Sequence, residues 1–585
     1  MGLRKQMAGR REQMMSLTSG GDDRESLGPS SSSRGARVLV WLLGAVVLLA
    51  WFSALGGRAL LPSDEGRYAQ IAREMLVTGD WITVRYNGLK YFEKPPFHLW
   101  MSALAFDGFG VGAWQARLWS ALSGLLGIAA MMLAAARWWG RRLALLTALV
   151  MLAMPLWTLG AQFNSLDMSV SAALAWVLAG FLLAHHPQAS VGTRRRWMLV
   201  AWAAMGVAVL TKGLMGVVLP GLVLTVYTVW TRDWRLWLRL HWVSGLAVFL
   251  LVTVPWFWLV SARNPEFAHF FFIHEHFQRY TSTIHRRDNP WWFFIPLIIA
   301  GLLPWTGLWW SMIKRVLAAA GAGGAPGIQA ERLLAVWAVS IFLFFSASGS
   351  KLPGYILPVF PALALLAARA LAGISQRSWR ACLWGALLLA LVLAALAPLV
   401  GRLGSAATPQ QFFQAYALWL VSAALIAAAG AVIALMLERF GRRLASIGVY
   451  SLACLLATLV GVVGHDTVGR IASGVELVPA VRRVLQPDMP LYGVRRLDHT
   501  LPFYLQHRLT MVETPDELEF GTRQEPDRWI PTLAQFADRW QHGPRALAIM
   551  SLAQFGELRS ENLPMIEIAR DARRVVVANF EPSAP

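Results

Sequence analysis

The sequence predicts an α-helical polytopic membrane protein with about 13 transmembrane helices and a C-terminal α/β domain on the non-cytoplasmic side. Three observations support this prediction. The chain is 56% hydrophobic and 15% charged, whereas soluble domains carry about 25% charged residues. Apolar runs long enough to span a bilayer recur along the chain. Clusters of basic residues occupy every second connection between those runs.

The apolar runs define the predicted spans. A helix needs about 20 predominantly apolar residues to cross the hydrocarbon core. Runs of this length begin near Val38, Gln115, Leu143, Asp167, Trp197, Gly213, Trp242, Trp292, Leu333, Pro353, Ala381, Phe413 and Leu444. The run Phe97–Gly110 is shorter, so we expect it to be re-entrant or to lie at the interface.

The basic connections set the orientation, because Lys and Arg are enriched in cytoplasmic loops. They place residues 1–37, a polar and Ser/Gly-rich tail, in the cytoplasm as a disordered segment. Residues 38–464 then form the transmembrane domain, with long outer loops at 57–114 and 264–290. Because the net charge of +20 lies largely in the short inner loops, we expect no nucleic-acid partner.

Residues 465–585 are predicted to be a soluble α/β domain outside the cytoplasm. Its expected strands are Leu491–Val494, Leu547–Met550, Met565–Ile568 and Arg574–Phe580, with a helix at Thr532–Trp540.

The first outer loop opens with an acidic pair, Asp64-Glu65, at the start of a predicted helix. Carboxylates in a first turn are typical of helix capping, and they are also candidates for chemistry. From Tyr68 to Leu76 apolar residues follow helical spacing, so we expect one face of this helix to lie on the membrane and to gate lipid entry.

Other charged residues gather on the outer side. Lys94, beside Glu93, is suited to holding a phosphate or to anchoring the chain at the interface. Asp167 opens a transmembrane helix and Lys212 lies between two apolar runs; ionisable residues there are functional by default. Lys351 is a further candidate for an anion site.

A divalent metal is a separate hypothesis, with Glu93, His274 and His276 as ligands. Histidines two residues apart do not share a helix face, and the spacing of a tight metal motif is absent.

The first outer loop also resembles a known family. The residues from Asp64 to Pro96 resemble the ArnT aminoarabinose transferases, part of the GT-C class of glycosyltransferases that use polyprenyl-phosphate sugars. The resemblance covers Leu61 to about Leu371. The stretches that carry it are Asp64–Ala69, Arg73–Leu76, Gly79–Trp81, Asn87–Pro96, Leu210–Gly213, Phe272–Tyr280 and Ser350–Pro358.

The resemblance implies transfer of 4-amino-4-deoxy-L-arabinose from undecaprenyl phosphate to lipid A phosphates. The reaction would take place at the periplasmic face of a bacterial inner membrane and give resistance to polymyxin and cationic peptides. A monomer is expected.

The resemblance also implies roles for individual residues. Asp64, Glu93 and Asp167 are the expected catalytic residues: Asp64 orients the acceptor or sugar, and the other two hold the sugar's amine. The donor phosphate is expected to contact Arg67, Lys94, Lys212, Lys351 and Tyr355, and the substrates Glu65, Tyr68 and Tyr91.

Two alternatives stay open beside a receptor or structural protein that would use its outer loops for binding alone. One is a GT-C enzyme with another acceptor, such as a protein hydroxyl or another glycolipid. The other is a lipid transporter, which would show internal repeats and polar residues at the midplane. The absence of an evident repeat and the gathering of ionisable residues at one face favour an enzyme.

Overall fold

A computed structural model describes residues 44–278, 289–321 and 328–582, without the side chains of 274–278 and 320–321. The fold class is confirmed. The long helices and bent helix pairs are Gly44–Ser53, Ala113–Trp139, Arg141–Ala153 with Pro155–Gln162, Leu166–Ala184, Val191–Lys212, Met215–Thr231, Trp242–Arg263, Trp291–Gly301 with Trp305–Ala319, Ala330–Ala347, Pro353–Ala372, Gln376–Arg402, Gln410–Arg439 and Arg443–Ser473.

Each predicted run coincides with one of these helices or bent pairs, the first of them only from residue 44 onward. By length and composition, 8 of the described helices can cross a membrane, or up to 10 if each bent pair is one span. The count of thirteen therefore stays a prediction. The short run is a helix, Phe97–Phe109.

The first outer loop contains a helix, Asp64–Thr78 (the first-loop helix), followed by a hairpin of β1, Arg85–Tyr86, and β2, Leu89–Lys90. Asn87 and Gly88 join the strands with φ of 50° and 80°, as an Asn-Gly hairpin turn requires. The carboxylate of Glu74 accepts the backbone N–H groups of both turn residues at 2.9 Å. The hairpin is thus tied to the first-loop helix.

The apolar stripe of the first-loop helix does not lie on the membrane. Tyr68, Ile71, Ala72 and Met75 are at most 4% exposed, and they belong to a core shared with residues of the C-terminal domain such as Phe503. The expected membrane contact is therefore wrong, and the gating role loses its basis. An apolar helix face has the same residue spacing whether protein or lipid covers it.

The C-terminal domain is built on a five-stranded mixed sheet. Its strands are β3, Leu491–Val494; β4, Thr510–Val512; β5, Leu547–Met550; β6, Ile566–Arg570; and β7, Val575–Ala578, in the order β4-β3-β5-β7-β6. β4, β3 and β5 are parallel, and β7 is antiparallel to β5 and β6. Four strands and the helix Leu533–His542 match prediction within a few residues; β4 was not predicted.

The C-terminal domain lies directly against the first-loop helix at Gly66. A Cβ atom at this position would be 2.3 Å from the backbone oxygen of His499. Tyr86 of the hairpin also hydrogen-bonds His499, with 3.0 Å between its hydroxyl and Nδ1. These contacts bring residues of the C-terminal domain to the beginning of the first-loop helix.

Candidate active site

A cavity of about 350 Å³ lies between the first-loop helix, the outer ends of the spans and the C-terminal domain. Eight of the predicted site residues line it. Its described lining consists of Asp64, Arg67, Tyr68, Glu93, Lys94, Ser165, Leu166, Asp167, Lys212, Leu352, Tyr355, Asp516, Glu517 and Glu519.

Asp64 is the first residue of the first-loop helix. Its side chain is 46% exposed, which leaves the carboxylate open to the cavity. The N-terminal end of a helix stabilises an ionised carboxylate through its dipole and free N–H groups. Arg67, one turn later, lies 3.6 Å from Asp64 Oδ1. An accessible carboxylate is therefore held at the cavity wall.

Glu65, next to Asp64, is directed away from the cavity and is 3% exposed. Its carboxylate accepts two hydrogen bonds from the guanidinium of Arg117, at 2.7 and 2.8 Å. It also accepts the Asn164 N–H at 2.9 Å. Burial opposes ionisation, but Arg117, Arg58 and Asn164 together hold the pKa of Glu65 below its usual value. Instead of contacting substrate, Glu65 fastens the beginning of the helix to the first spans.

Asp167 and Lys212 form an ion pair in the cavity wall. Asp167 is in the first turn of the helix Leu166–Ala184, whose cap is Ser165. The ammonium of Lys212 lies 4.3 Å from the ring centroid of Tyr355, a cation–π distance. A Cβ at Gly354 would be 2.2 Å from Asp167 Oδ2. Only glycine leaves space for the carboxylate at that position.

Glu93 and Lys94 follow the hairpin and are both partly buried. Lys94 Nζ donates to the backbone oxygen of Glu93 at 2.9 Å and lies 3.9 Å from its carboxylate. The Lys94 ammonium and the Glu93 carboxylate are thus neighbours in the cavity wall.

Glu517 was missed by the sequence analysis. It belongs to the turn Asp516–Leu518 of the C-terminal domain, and its carboxylate lies 2.9 Å from Arg67 Nε. Burial raises the pKa of Glu517 to about 7, although Arg67 opposes this rise. The signal for it was a run of acidic residues, Asp516-Glu517-Leu518-Glu519, in a chain with 53 basic and 33 acidic residues.

Four other predicted residues differ in their position relative to the cavity. Tyr68 lines the cavity although it is 4% exposed. Tyr91 is buried outside the lining, and its hydroxyl accepts a hydrogen bond from Arg67 at 3.2 Å. Lys351 is also buried outside the lining, where Nζ donates to the Ser348 carbonyl at 2.6 Å. Arg67 itself is balanced by two carboxylates.

The predicted metal site is not tested. The side chains of His274 and His276 lie outside the described residues. Within the described part of the chain, no group of three His, Cys, Asp or Glu residues could hold a metal ion. The ligand set Glu93, His274 and His276 stays a prediction.

Two family models match the chain. Residues 477–579 match the aminoarabinose transferase C-terminal domain, and residues 38–271 match dolichyl-phosphate-mannose-protein mannosyltransferase. The first match coincides with the five-stranded sheet, and the second includes the first outer loop.

Solved structures of one protein resemble nearly the whole chain. The crystal structure of ArnT from Cupriavidus metallidurans bound to undecaprenyl phosphate is 50% identical with a TM-score of 0.90, covering 93% of this chain and 98% of that one. Its apo form is 49% identical with a TM-score of 0.88.

Curated relatives resemble a shorter part. The undecaprenyl phosphate-alpha-4-amino-4-deoxy-L-arabinose arabinosyl transferase 2 of Pseudomonas fluorescens is 34% identical over 57% of this chain. The undecaprenyl phosphate-alpha-4-amino-4-deoxy-L-arabinose arabinosyl transferase of Pseudomonas aeruginosa is 36% identical over 55% of this chain. The matches span 59% and 58% of those relatives' lengths.

Proposed function

The chain belongs to the ArnT family of aminoarabinose transferases, and from this premise we propose that it moves 4-amino-4-deoxy-L-arabinose from undecaprenyl phosphate to phosphate groups of lipid A. The solved relative is bound to undecaprenyl phosphate, and the curated relatives are named for this donor. The site of action in this proposal is the periplasmic face of the inner membrane, with the basic loops in the cytoplasm.

The charge of the cavity carries the proposal. Six of its described lining residues are acidic and three are basic. Phosphate alone would favour a basic cavity, whereas a sugar that bears an ammonium group needs carboxylates beside it. A donor with both groups matches a wall in which Lys94 and Lys212 lie among Glu93, Asp167 and Glu517.

The proposed reaction is a displacement at the anomeric carbon of the sugar. An oxygen of the acceptor phosphate forms the new bond, and the bond from that carbon to the undecaprenyl phosphate oxygen breaks with its electron pair. Because the acceptor oxygen is already anionic, a strong general base is not required. Positioning and charge stabilisation supply the acceleration.

Each residue then has a physical task. Lys94 and Lys212 stabilise the negative charge of the departing undecaprenyl phosphate, and Tyr355 supplies a hydroxyl donor. Asp64, the open carboxylate, orients the sugar or the acceptor. Glu93, Asp167 and Glu517 hold the amine. The aminoarabinose product replaces anionic surface with a cation, which lowers attraction for polymyxin and cationic peptides.

Reconstitution tests the proposal. Full-length protein in detergent is given undecaprenyl-phosphate aminoarabinose with lipid A, dephosphorylated lipid A or a Ser/Thr-rich peptide, and products are identified by mass spectrometry. We expect a mass gain of one aminoarabinose on lipid A only. Transfer to the peptide or to dephosphorylated lipid A would favour a hydroxyl acceptor, as in mannosyltransferases. Metal analysis and chelation in the same assay test the predicted Glu93–His274–His276 site.

A further inference from the structure

A second cavity, of about 260 Å³, lies between the spans at the end opposite to Asp167 and Lys212. Its described lining is entirely apolar and includes Phe181, Met198, Trp202, Gly221, Trp242 and Leu333. Two spans connect the cavities. Lys212 ends the helix Val191–Lys212 at the candidate active site, and Arg194 lies in its first turn at the other end, roughly 27 Å away.

Basic residues surround this apolar cavity. His185 follows the end of the span Leu166–Ala184, and its ring lies 4.4 Å from that of Phe181 in the cavity wall. Arg239 and His241 flank Leu240, another lining residue, in the chain. Burial is the largest cause that lowers the pKa of His185, and a hydrogen bond to Phe181 opposes it. Arg194, Arg239 and His241 lower the pKa further. We call His185, Arg194, Arg239 and His241 the rim of the cavity, and its two arginines make it positively charged.

Two nitrogen atoms of this rim are buried without a hydrogen-bond partner among the described residues, His185 Nε2 and Arg194 Nε. His185 is 6% exposed, so its nitrogen cannot be satisfied by bulk water. The other ring nitrogen, Nδ1, bonds the Phe181 carbonyl at 3.0 Å. Buried polar groups of this kind are costly unless they are paired, which points to a polar ligand at the rim.

We propose that this cavity and its rim bind an anionic phospholipid from the leaflet opposite to the candidate active site, with the headgroup at His185, Arg194 and Arg239 and an acyl chain among the apolar residues. Basic sites between transmembrane helices at the cytoplasmic side are a known mode of anionic lipid recognition. The basic residues match the anionic headgroup of such a lipid, and the apolar cavity matches its acyl chain. This inference does not depend on the proposed function.

A glycerol headgroup would also complete the hydrogen bonding of His185. While the ring is neutral, Nδ1–H donates to Phe181 and Nε2 can only accept, from a hydroxyl of a glycerol headgroup. Burial is the largest cause that lowers the pKa of His185, so the ring stays neutral and the headgroup phosphate contacts the guanidinium groups of Arg194 and Arg239.

Lipid retention tests the headgroup contact. Full-length protein in detergent is equilibrated with phosphatidylglycerol or phosphatidylcholine, and retained lipid is counted by native mass spectrometry. Wild type should retain more phosphatidylglycerol than phosphatidylcholine. Because each cation near a headgroup contributes about a fivefold factor in affinity, Arg194→Gln with Arg239→Gln should weaken retention roughly 25-fold.

The control is Arg439→Gln with Arg442→Gln. This pair carries the same charge loss in exposed residues at the end of another helix, Gln410–Arg439, and it should retain lipid like wild type. Equal retention of phosphatidylcholine by wild type, or equal loss in both double variants, would overturn the proposal.

Filling the cavity tests the acyl chain. Gly221 lines the cavity, and a Cβ there meets nothing within 4 Å, so Gly221→Leu should displace the chain without a clash. The same substitution at Gly448, also open and in another helix, is the matched control. Phosphatidylglycerol retention should fall in the first variant only. If retention is unchanged, or if Gly221→Leu instead abolishes retention of undecaprenyl phosphate, the cavity does not hold this phospholipid.

Discussion

Arg67 and Glu517 are separated by 450 positions in the chain, yet Arg67 Nε and Glu517 Oε1 lie 2.9 Å apart in the wall of one cavity. The ion pair connects the first-loop helix to the C-terminal domain. It also balances the charge of Arg67, as Asp167 balances the charge of Lys212. The C-terminal domain is therefore part of the candidate site.

Replacing Glu517 should remove a titration near neutrality. Burial raises its pKa from 4.5 to about 7, so ionising it costs folding free energy. The cost is absent below pH 4.5 and complete above about pH 7. The stability of wild type should fall relative to Glu517→Gln as pH rises through this window, measured as unfolding temperature in detergent.

The pH–rate profile gives a second readout for the same residue. Transfer by wild type should show a step near pH 7 that is absent in Glu517→Gln. Glu513→Gln, which alters a more exposed pair with Arg495, is the control and should keep the step. A step of equal size in both variants would show that another group titrates.

The Glu65–Arg117 pair should matter for stability. Arg117 is fully buried, and it also donates to the carbonyls of Leu55, Arg58 and Ala59. Glu65→Gln leaves this cation without its charge partner, a change that costs about 3–5 kcal/mol for buried pairs. Thermal unfolding of the purified protein measures it.

Asp538→Asn is the control for that variant, because it breaks an exposed pair with His542. Such pairs contribute about 0–1 kcal/mol. Similar unfolding temperatures for the two variants would mean that Glu65 does not secure the first-loop helix.

Gly354→Ala should disable the site without replacing a charged residue. The added Cβ would lie 2.2 Å from Asp167 Oδ2, so the Asp167–Lys212 pair must shift. A displacement near 1 Å lowers turnover by about 100-fold, measured as kcat in the reconstituted assay. Gly108→Ala, where a Cβ meets nothing within 4 Å, should keep normal turnover. Equal kcat in both variants would argue against a role for Asp167.

Of the three lysines predicted to bind the donor phosphate, Lys94 and Lys212 line the cavity and Lys351 does not. Lys94→Met and Lys212→Met should each raise the KM for the donor roughly 10- to 100-fold, because each removes a charged partner of the phosphate. Lys351→Met should instead lower the unfolding temperature with little change in KM, since Lys351 bonds Ser348 outside the cavity lining. The reverse pattern would assign the phosphate to Lys351.

Much of the fold and of the site could be predicted from the sequence, but the surroundings of one helix could not. Span positions, the strands Leu491–Val494 and Leu547–Met550, and most cavity residues could be predicted, because hydropathy and local motifs act over short distances. The protein surface that covers the first-loop helix could not be predicted. Its apolar stripe has the same period whether lipid or protein covers it, and Phe503 becomes its neighbour only through the tertiary fold.

Two site residues show the same limit. Asp64 and Glu65 are adjacent and chemically alike, yet one opens to the cavity and the other is buried against Arg117. Sequence alone treats them as a pair, because the rotation of the helix against its neighbours decides which carboxylate is accessible. Glu517 enters the site from a domain that shows no motif for it apart from its acidic neighbours.

In the proposed function, the cavity containing Asp64 transfers aminoarabinose to lipid A. The most direct measurement is mass spectrometry of lipid A from a host that makes the donor but lacks its own transferase, complemented with wild type or Asp64→Asn. We expect aminoarabinose-modified lipid A with wild type and a loss of about 10²–10³-fold with the variant at equal membrane expression. Unmodified lipid A with wild type, or equal modification by both, would contradict the proposed function.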